Sequence, residues 1–347
     1  MELVNVFDYE RLAQARIEPG AWDYYMSGSD DEVTLRENRA AFERIRLRPR
    51  MLVDVSACDT RTTVLGAPVA MPILVAPTAY HCLAHPDGEC ETARGVSSAG
   101  TLMVASTSAT RSLEEIAQAA SGLRWFQLYI HDRIVTEQLV RRAEAAGYSA
   151  LVITVDSPRW GHKERPLHSD FRLPAHLRKA NFPDPAIPQN FVFVTWESLD
   201  WLRSLTALPI LLKGILTAED ADLAVERGVE GIIVSNHGGR QLDSVAASIE
   251  ALPEVVEVVR GRCEVYMDGG IRRGTDILKA LALGARAVLV GRPVLCGLAV
   301  DGANGVRQVL EILRAELELA MRLAGRPTLA SIDRALVQLP GERRPVS

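Results

Sequence analysis

The sequence predicts an α/β fold, a (β/α)8 TIM barrel preceded by an N-terminal helical cap. Eight short apolar runs, most of them rich in β-branched or aromatic residues, follow one another after about residue 70, and segments with helical spacing separate them. Buried parallel strands have this continuous apolar composition, and eight strand-helix units close such a barrel. A doubly wound sheet is the main alternative, but no GxGxxG motif follows any of the runs.

The predicted strands are PILVAP (72–77), LMVAS (102–106), WFQLYI (125–130), ALVITVD (150–156), PILLKG (209–214), GIIVSN (231–236), CEVYMDGG (263–270) and ARAVLVG (285–291). Helical spacing occurs between them, as in 135–147, 217–228 and 274–284. Each of these three segments ends at a glycine of the kind that terminates a helix.

The chain is predicted to form one domain over residues 1–347, since no change of composition marks a boundary. We expect residues 1–70 to form a helical cap that leads to a hairpin, RTTVLGAPVA, across the closed end of the barrel. The barrel occupies 71–300, and a C-terminal helix and tail occupy 301–347. Residues 157–190 are too long for an ordinary strand-to-helix connection, so we expect a partly mobile lid over the site.

Composition excludes several classes of function. The chain has 347 residues, 48% hydrophobic and 24% charged, which is typical of a soluble globular protein. A net charge of -5 and a pI near 5.9 argue against nucleic acid as the main partner. Five cysteines without a CxxC pair favour a reducing compartment over a disulfide framework. No signal peptide or membrane span is evident, so a cytoplasmic location is expected.

Polar side chains end nearly every predicted strand, at the mouth where TIM barrels carry their active sites. This convergence predicts that the mouth binds a polar ligand. In chain order the strand ends supply Pro77, Thr78 and Ala79; Ser106; Gln127 and Tyr129; Thr154 and Asp156; Lys213; Ser235, Asn236, His237 and Arg240; Asp268, Gly269 and Gly270; and Gly291 and Arg292.

The last two strand ends indicate a phosphate group in that ligand. DGGIRRG and VGR supply glycines that let backbone N–H groups approach an anion, with Arg272 and Arg292 as charge partners. Either motif alone is also compatible with a tight turn. Together they stand after strands seven and eight, where TIM barrels commonly bind phosphate, and this favours a phosphorylated cofactor or substrate.

The segment SNHGGRQLD (235–243) indicates acid-base chemistry on a small acid. A carboxylate such as Asp156 orients an imidazole and stabilises its protonated form, which suits His237 as a general base. Arg240 is suited to hold a carboxylate through two hydrogen bonds, and the intervening glycines let both side chains face one ligand. The alternatives are a structural histidine and, for Lys213, a side chain that extends to solvent rather than facing an electron-rich partner.

In this order the motifs resemble those of the FMN-dependent L-2-hydroxy acid oxidases and dehydrogenases, the family of glycolate oxidase, lactate oxidase and mandelate dehydrogenase. The resemblance covers almost the whole chain, including the N-terminal segment 23–52 (DYYMSGSDDEVTLRENRAAFERIRLRPRML). It is carried by PTA (77–79), WFQLY (125–129), ITVD (153–156), LKG (212–214), SNHGGRQLD, DGGIRRGTD (268–276) and VGRP (290–293).

The resemblance implies FMN as cofactor and a role for each matched residue. His237 would take a proton from the 2-hydroxy acid, with Asp156 paired to its ring, while Lys213 would lie by the N1/O2 edge of the flavin. Arg240 and Tyr24 would bind the substrate carboxylate, and Tyr129 its hydroxyl end. Pro77, Thr78, Ala79, Ser106, Gln127 and Thr154 would line the isoalloxazine ring, Ser235 would flank the base, and Asp268, Gly270, Arg272, Gly291 and Arg292 would hold the ribityl and phosphate.

Two positions depart from the family pattern. Ser108 stands where glycolate oxidase has a tryptophan beside the substrate, and Lys163 stands where the family often has a second arginine. Lys163 would contact a carboxylate as a point charge and not as a fork. Because Ser108 makes a smaller wall, although Tyr80 fills part of the space, we expect a longer or aromatic 2-hydroxy acid, with lactate also an option.

The predicted reaction is oxidation of an L-2-hydroxy acid to the 2-oxo acid, with O2 as acceptor giving H2O2. A dehydrogenase with another acceptor and a lactate-type monooxygenase share these motifs. Two other classes stay open: a barrel isomerase or hydrolase that binds substrate phosphate, and a non-catalytic flavin-binding protein. No metal, nucleic-acid or membrane partner is expected, and the resemblance implies a homotetramer or homo-octamer.

Overall fold

A closed barrel of eight parallel strands forms the centre of the computed structural model, which describes residues 3–182 and 194–342. Each barrel strand, β4 to β11, pairs with the next along the chain, and β11 closes on β4 with Val288 opposite Ile73. The predicted (β/α)8 barrel is confirmed. In chain order the strands are β1 Arg46–Leu47, β2 Thr62–Val64, β3 Ala67–Val69, β4 Ile73–Val75, β5 Leu102–Ser106, β6 Leu123–Leu128, β7 Leu151–Thr154, β8 Ile210–Ile215, β9 Gly231–Val234, β10 Glu264–Asp268, β11 Ala287–Val290 and β12 Val337–Gln338.

Helices follow the barrel strands and cover the outside of the sheet. The three helical segments singled out in the sequence are present as α6, α9 and α11. The C-terminal helix begins at Arg292, directly after β11, and is kinked at Asp301 and Gly302. The helices are α1 Val6–Gln14, α2 Pro19–Met26, α3 Val33–Arg44, α4 Gly88–Ser98, α5 Leu113–Ala119, α6 Arg133–Ala145, α7 Glu164–His168, α8 Trp196–Leu205, α9 Ala218–Glu226, α10 Ser248–Val259, α11 Gly274–Ala282 and α12 Arg292–Leu323.

Both faces of the barrel sheet are buried, which explains why its strands are apolar without alternation. Inward side chains fill the interior, where the rings of Trp125 and Tyr266 meet edge to face at 5.5 Å between centroids. Outward side chains such as Ile73 and Phe126 belong to the larger core between sheet and helices. The barrel is therefore a packed core, and only its ends are available for a ligand.

The hairpin of β2 and β3 covers the amino-terminal end of the barrel, as the sequence predicted. Val64 and Val69 are buried in the same cluster as the barrel interior. The backbone N–H of Leu65, at the turn, donates to a carboxylate oxygen of Glu264 at the start of β10, at 2.9 Å. A ligand must consequently approach from the carboxyl ends of the strands.

The N-terminal helices are fastened to the loop that follows β9. The Asp243 carboxylate accepts hydrogen bonds from the first N–H groups of α3, Val33 at 3.1 Å and Thr34 at 2.7 Å. It therefore caps that helix from a distant part of the chain. The amides of Asn38 and Asn236 bond each other in both directions at 2.8 Å. These contacts hold the cap helices against the end of the barrel where the strands have their carboxyl termini.

The segment after β7, where the sequence predicts a lid, is described as far as residue 182. It contains the short helix α7 and is tied to the cap by an ion pair between Arg165 and Asp23 at 3.0 Å. The rest of the predicted lid, residues 183–190, lies outside the described residues. No helix in the described chain has both the length and the apolar composition needed to cross a membrane.

Candidate active site

A cavity of 320 Å³ opens at the carboxyl ends of the barrel strands. Every residue to which the sequence analysis assigned a role lines this cavity except Asp156 and Ser235, which bond to residues that do. Asn236, which also ends a strand, does not line it and bonds Asn38 instead. The convergence predicted from the strand ends is therefore present in the structure. The predicted residues in its wall are Tyr24, Pro77, Thr78, Ala79, Ser106, Ser108, Gln127, Tyr129, Thr154, Lys163, Lys213, His237, Arg240, Asp268, Gly270, Arg272, Gly291 and Arg292.

His237 and Asp156 form a half-buried pair at this mouth, with 2.9 Å between Nδ1 and Oδ1. Because a carboxylate only accepts, Nδ1 must carry the hydrogen, and in the neutral ring Nε2 keeps a lone pair. Burial lowers the pKa of His237, against the opposing effect of Asp156, and Lys213 lowers it further. The resting imidazole is thus a neutral base at neutral pH, and Asp156 stabilises the cation that forms when it takes a proton.

A tight turn after β9 positions the imidazole. His237, Gly238 and Gly239 all have left-handed backbones, with φ of 58°, 65° and 75°. The N–H of His237 donates to Ser235 Oγ at 3.0 Å. At Gly239 a Cβ would lie 2.6 Å from the backbone nitrogen of Leu35 in α3, so only glycine fits. This close approach explains the glycines between the base and Arg240.

Asp156 has its own glycine neighbour. A Cβ at Gly214, where φ is 117° and the β8–β9 register shifts, would lie 2.6 Å from the Cβ of Asp156. Burial raises the pKa of Asp156, but its interaction with His237 and then the charge of Lys213 lower it below its usual value. The carboxylate is therefore ionised beside the base, and the glycine of the LKG motif makes room for it.

Lys213 is buried, with 3% of its surface exposed, so the alternative of a side chain extending to solvent is wrong. Its Nζ donates to Ser235 Oγ at 2.9 Å and lies 3.1 Å from Asp268 Oδ2. Burial lowers the pKa of Lys213, but Asp268 and Asp156 outweigh it and the net shift is upward. Lys213 therefore stays an ammonium in the cavity wall. The other oxygen of Asp268 is buried and has no partner among the described residues.

Arg240 is held by the end of α2. Its Nη1 donates to the carbonyls of Tyr24 at 2.6 Å and Ser27 at 3.0 Å, and its guanidinium carbon lies 5.1 Å from the centre of the Tyr24 ring. The Tyr24 ring stacks on Phe171 of the predicted lid at 5.1 Å. Because carbonyls left free at a helix end orient the guanidinium, Arg240 and Tyr24 face the cavity as one unit.

A hydrogen-bonded wall follows β5 to β7. The Gln127 side chain accepts from Ser106 Oγ at 3.1 Å and donates to Thr154 Oγ1 at 3.0 Å. These bonds orient the side-chain amide, with its oxygen toward Ser106 and its nitrogen toward Thr154. Tyr129 comes next along the wall, and its ring meets Trp160 edge to face at 5.3 Å.

Cations and glycines meet in the part of the cavity that lies after β10 and β11. A Cβ at Gly270 would lie 1.9 Å from the carbonyl oxygen of Asn38, and Gly291 precedes the first turn of α12. Arg292 is half-buried and donates to the carbonyls of Tyr25, Ser27 and Gly238. Arg272 pairs with Glu10.

The charges at this end favour an anion. Burial, together with the nearby charges of Arg240 and Arg272, lowers the pKa of Arg292 to about 9. Like charges in a buried site repel one another unless an anion lies among them. This cluster, the glycine turns and the helix start together fit the phosphate of a cofactor.

Several cavity residues were missed from the sequence. Gln241 lies next to Arg240 in SNHGGRQLD, so that motif was a usable signal; its amide bonds the carbonyls of Asp156 at 2.8 Å and Arg159 at 2.9 Å. Lys179 lies in an irregular segment where no pattern marks it. Tyr25, Trp160 and Gly238 also line the cavity, as does Tyr80, which the sequence analysis expected beside Ser108.

Fold and site together define a TIM-barrel enzyme whose cavity contains a histidine-aspartate pair, a guanidinium held by backbone carbonyls, and a cluster of cations beside glycine turns. The chain belongs to the family of FMN-dependent dehydrogenases, whose model matches residues 13–339. The cofactor is accordingly FMN, and the cation cluster, the glycine turns and the buried Lys213 fit it.

Relatives and solved structures agree with this assignment. The chain is 53% identical to L-lactate oxidase of Nostoc sp., with 97% of this chain and 98% of that protein covered. It is 50% identical to glycolate oxidase 1 of Oryza sativa subsp. indica, with 99% and 97% covered. The fold is similar to that of mandelate oxidase with benzoyl-formic acid, with a TM-score of 0.93, 46% identity, and 97% and 99% of the two chains covered.

Proposed function

We propose that this protein is an FMN-dependent oxidase that converts an L-2-hydroxy acid to the 2-oxo acid and passes the electrons to O2, giving H2O2. The main support for this reaction is the hydrogen bond of 2.9 Å between His237 and Asp156. His237 lines the same cavity as Arg240 and Lys213. O2 as acceptor is supported by the relatives, which are named lactate, glycolate and mandelate oxidases.

Arg240 and Tyr24 bind and orient the substrate carboxylate. The guanidinium is fixed by backbone carbonyls, so it meets an incoming carboxylate without reorganising. Lys163 lines the same cavity, with its Nζ 3.1 Å from the carbonyl oxygen of Gly161, and adds a second positive charge. Tyr129 bonds the hydroxyl end of the substrate, which points that end toward the base.

His237 removes a proton from the substrate through Nε2, and the ionised Asp156 stabilises the imidazolium that results. FMN, when bound, accepts the electron pair and delivers it to O2. Lys213 holds a positive charge at the flavin edge, where Asp268 and Ser235 keep the ammonium in place. Glycolate, lactate and mandelate oxidases are all relatives, so the chemistry tolerates substrate side chains of different sizes.

The remaining predicted residues hold the cofactor. The wall of β5 to β7 and the turn after β4 take the ring, and the glycine and arginine end takes the ribityl and phosphate. The residues in these roles are Pro77, Thr78, Ala79, Ser106, Gln127, Thr154 and Ser235 for the ring side, and Asp268, Gly270, Arg272, Gly291 and Arg292 for the chain and phosphate.

The substrate carries a side chain larger than hydrogen, in our proposal a longer or aromatic group, with lactate as the smaller option. Ser108 is buried in the cavity wall and leaves space that a tryptophan would fill. We further propose one domain over residues 1–347, a cytoplasmic location, and a homotetramer or homo-octamer. Light scattering on the purified protein distinguishes these assemblies from a monomer.

Anaerobic mixing with a panel of L-2-hydroxy acids tests the reaction, with flavin absorbance followed before and after air is admitted. Bleaching by a 2-hydroxy acid and rapid recolouring with H2O2 are the expected results. Slow recolouring would indicate a dehydrogenase that uses another electron acceptor. A decarboxylated product would indicate a monooxygenase. A yellow protein that no 2-hydroxy acid bleaches would refute the substrate class, and a clear preference for glycolate would refute the larger side chain.

A further inference from the structure

The base and its carboxylate come from two strand ends that are not neighbours in the barrel. Asp156 follows β7 and His237 follows β9, and β8 lies between these two strands. Adjacent strands lie about 4.8 Å apart, so the two strand ends are separated by roughly 10 Å. The hydrogen bond of 2.9 Å between the two side chains therefore depends on how the loops after β7 and β9 are held toward each other.

Gln241 is a side chain that joins these two loops. It is buried in the loop after β9, and its Nε2 donates to the carbonyls of Asp156 at 2.8 Å and Arg159 at 2.9 Å. Its Oε1 accepts the N–H of Gly161 at 3.0 Å. Both ends of one amide thus bond the backbone of the loop after β7, at three positions within six residues.

The backbones of the two loops also approach each other closely at Gly161. A Cβ at this position would lie 2.9 Å from the Cα of Gln241, which is too close for any side chain. The carbonyl of Gly161 accepts from Lys163 Nζ at 3.1 Å, so the same stretch also orients a cation of the cavity wall. Glycine here lets the loop after β7 come within reach of the Gln241 amide.

The regular pairing of β7 with β8 does not orient the carbonyl of Asp156. This pairing reaches the N–H of Val155, which donates to the carbonyl of Lys213 at 2.9 Å. One residue later, the carbonyl of Asp156 accepts from Gln241. Ser157 Oγ also bonds the Asp156 carboxylate, at 2.9 Å, but it moves with the same loop and cannot fix that loop relative to β9.

Resting on the proposed function, we propose that Gln241 is a positioning residue that holds the carboxylate of Asp156 within hydrogen-bond distance of His237. The amide fixes the backbone of Asp156, and with it the direction in which the carboxylate extends. A site of this kind needs its polar groups held by supporting hydrogen bonds. Without the amide, the carboxylate spends less time beside the imidazole and stabilises the imidazolium less.

The test is anaerobic stopped-flow reduction of bound FMN, with the fastest substrate from a panel of L-2-hydroxy acids that includes L-lactate and L-mandelate. Gln241→Met retains the length of the side chain and removes its hydrogen bonds. We expect its maximal reduction rate to fall about fivefold or more. Gln138→Met is the control, since it changes an exposed glutamine on α6, and it should leave the rate unchanged. FMN content and Tm show whether each variant is folded.

The pH profile of the same reaction tests whether Gln241 acts on the base. Asp156 raises the pKa of His237, whereas Lys213 and Arg240 lower it. Gln241→Met weakens only the contribution of Asp156, so the acid limb of the profile should move to lower pH. Because this effect requires the carboxylate, Gln241→Met should change the reduction rate less than about twofold when Asp156→Asn is already present.

The outcomes separate this inference from the proposed function. A folded, FMN-loaded Gln241→Met variant with the wild-type rate and acid limb overturns the role of Gln241 and leaves the oxidase standing. The same holds if the rate falls as far in the Asp156→Asn background as in the wild type. Should Gln241→Met misfold, Gln241→Asn takes its place, because it keeps the amide on a shorter side chain. Failure of every 2-hydroxy acid to bleach the wild-type FMN overturns the oxidase itself.

Discussion

Replacing Asp156 with asparagine tests the acid-base assignment most directly. Asp156→Asn keeps the size of the side chain but removes the negative charge that lies 2.9 Å from His237 Nδ1. That charge stabilises the imidazolium in the transition state, where the ring takes the substrate proton. A hydrogen bond to a charged group contributes about 1.5–3 kcal/mol. Since 1.36 kcal/mol is a factor of ten, kcat/KM should fall roughly 10- to 150-fold.

The pH profile makes the prediction specific to the base. Activity requires neutral His237, so kcat/KM rises with pH and levels off above the pKa of the imidazole, which burial already lowers. Without the carboxylate that pKa falls further. The acid limb of the Asp156→Asn profile should therefore move to lower pH while its plateau drops.

The assay is stopped-flow reduction of bound FMN under anaerobic conditions, between pH 4 and 9. Asp170→Asn is a matched control, because it removes an exposed carboxylate from the same segment, one that pairs with Arg172. It should leave rate and profile unchanged. An Asp156→Asn variant that binds FMN normally and keeps both the wild-type plateau and the wild-type acid limb would refute the pairing as a catalytic device.

Three further substitutions test the cofactor and substrate walls, with Gly66→Ala as a control for one of them. Lys213→Met leaves the buried carboxylate of Asp268 without its partner, so the free energy of unfolding measured by urea denaturation should fall by about 3–5 kcal/mol. The loss of the positive charge should also lower the reduction potential of bound FMN. Gly270→Ala places a Cβ 1.9 Å from the Asn38 carbonyl and should lower stability by more than about 3 kcal/mol and abolish FMN loading. Gly66→Ala, with φ of 78° but open space around it, should cost only about 1–2 kcal/mol. Ser108→Trp should reduce kcat/KM for longer acids about tenfold or more and spare glycolate, as a substrate panel would show.

Much of the site was predictable because a parallel barrel brings the carboxyl ends of its strands to one mouth. Once the apolar runs were recognised as strands, Lys213, His237 and Gln127 had to converge without any knowledge of their contacts. The residues alone indicated Asp156 as a partner for His237, the family resemblance implied the same pairing, and the structure contains it at 2.9 Å.

The unpredicted features depend on contacts between distant parts of the chain. The ion pair between Lys213 and Asp268 joins β8 to β10. The need for glycine at positions 239 and 270 comes from the close approach of α3, whose packing no local pattern reveals. Lys179 lies in irregular chain, where neither helical nor strand spacing indicates which side chains turn inward.

The two arginines that we propose to bind anions, Arg240 and Arg292, are both fixed close to the turn that carries His237. Arg292, on the phosphate side, donates to the carbonyl of Gly238 at 3.0 Å, directly after His237. Arg240, on the carboxylate side, follows that turn and shares with Arg292 the carbonyl of Ser27. Because both guanidinium groups are fixed to the same short stretches of backbone, the distance between the two ends is set by the fold. In the proposed mode of binding, the cofactor phosphate and the substrate carboxylate would therefore be bound by two guanidinium groups that are fixed to the turn carrying His237, which would hold the imidazole in place relative to both.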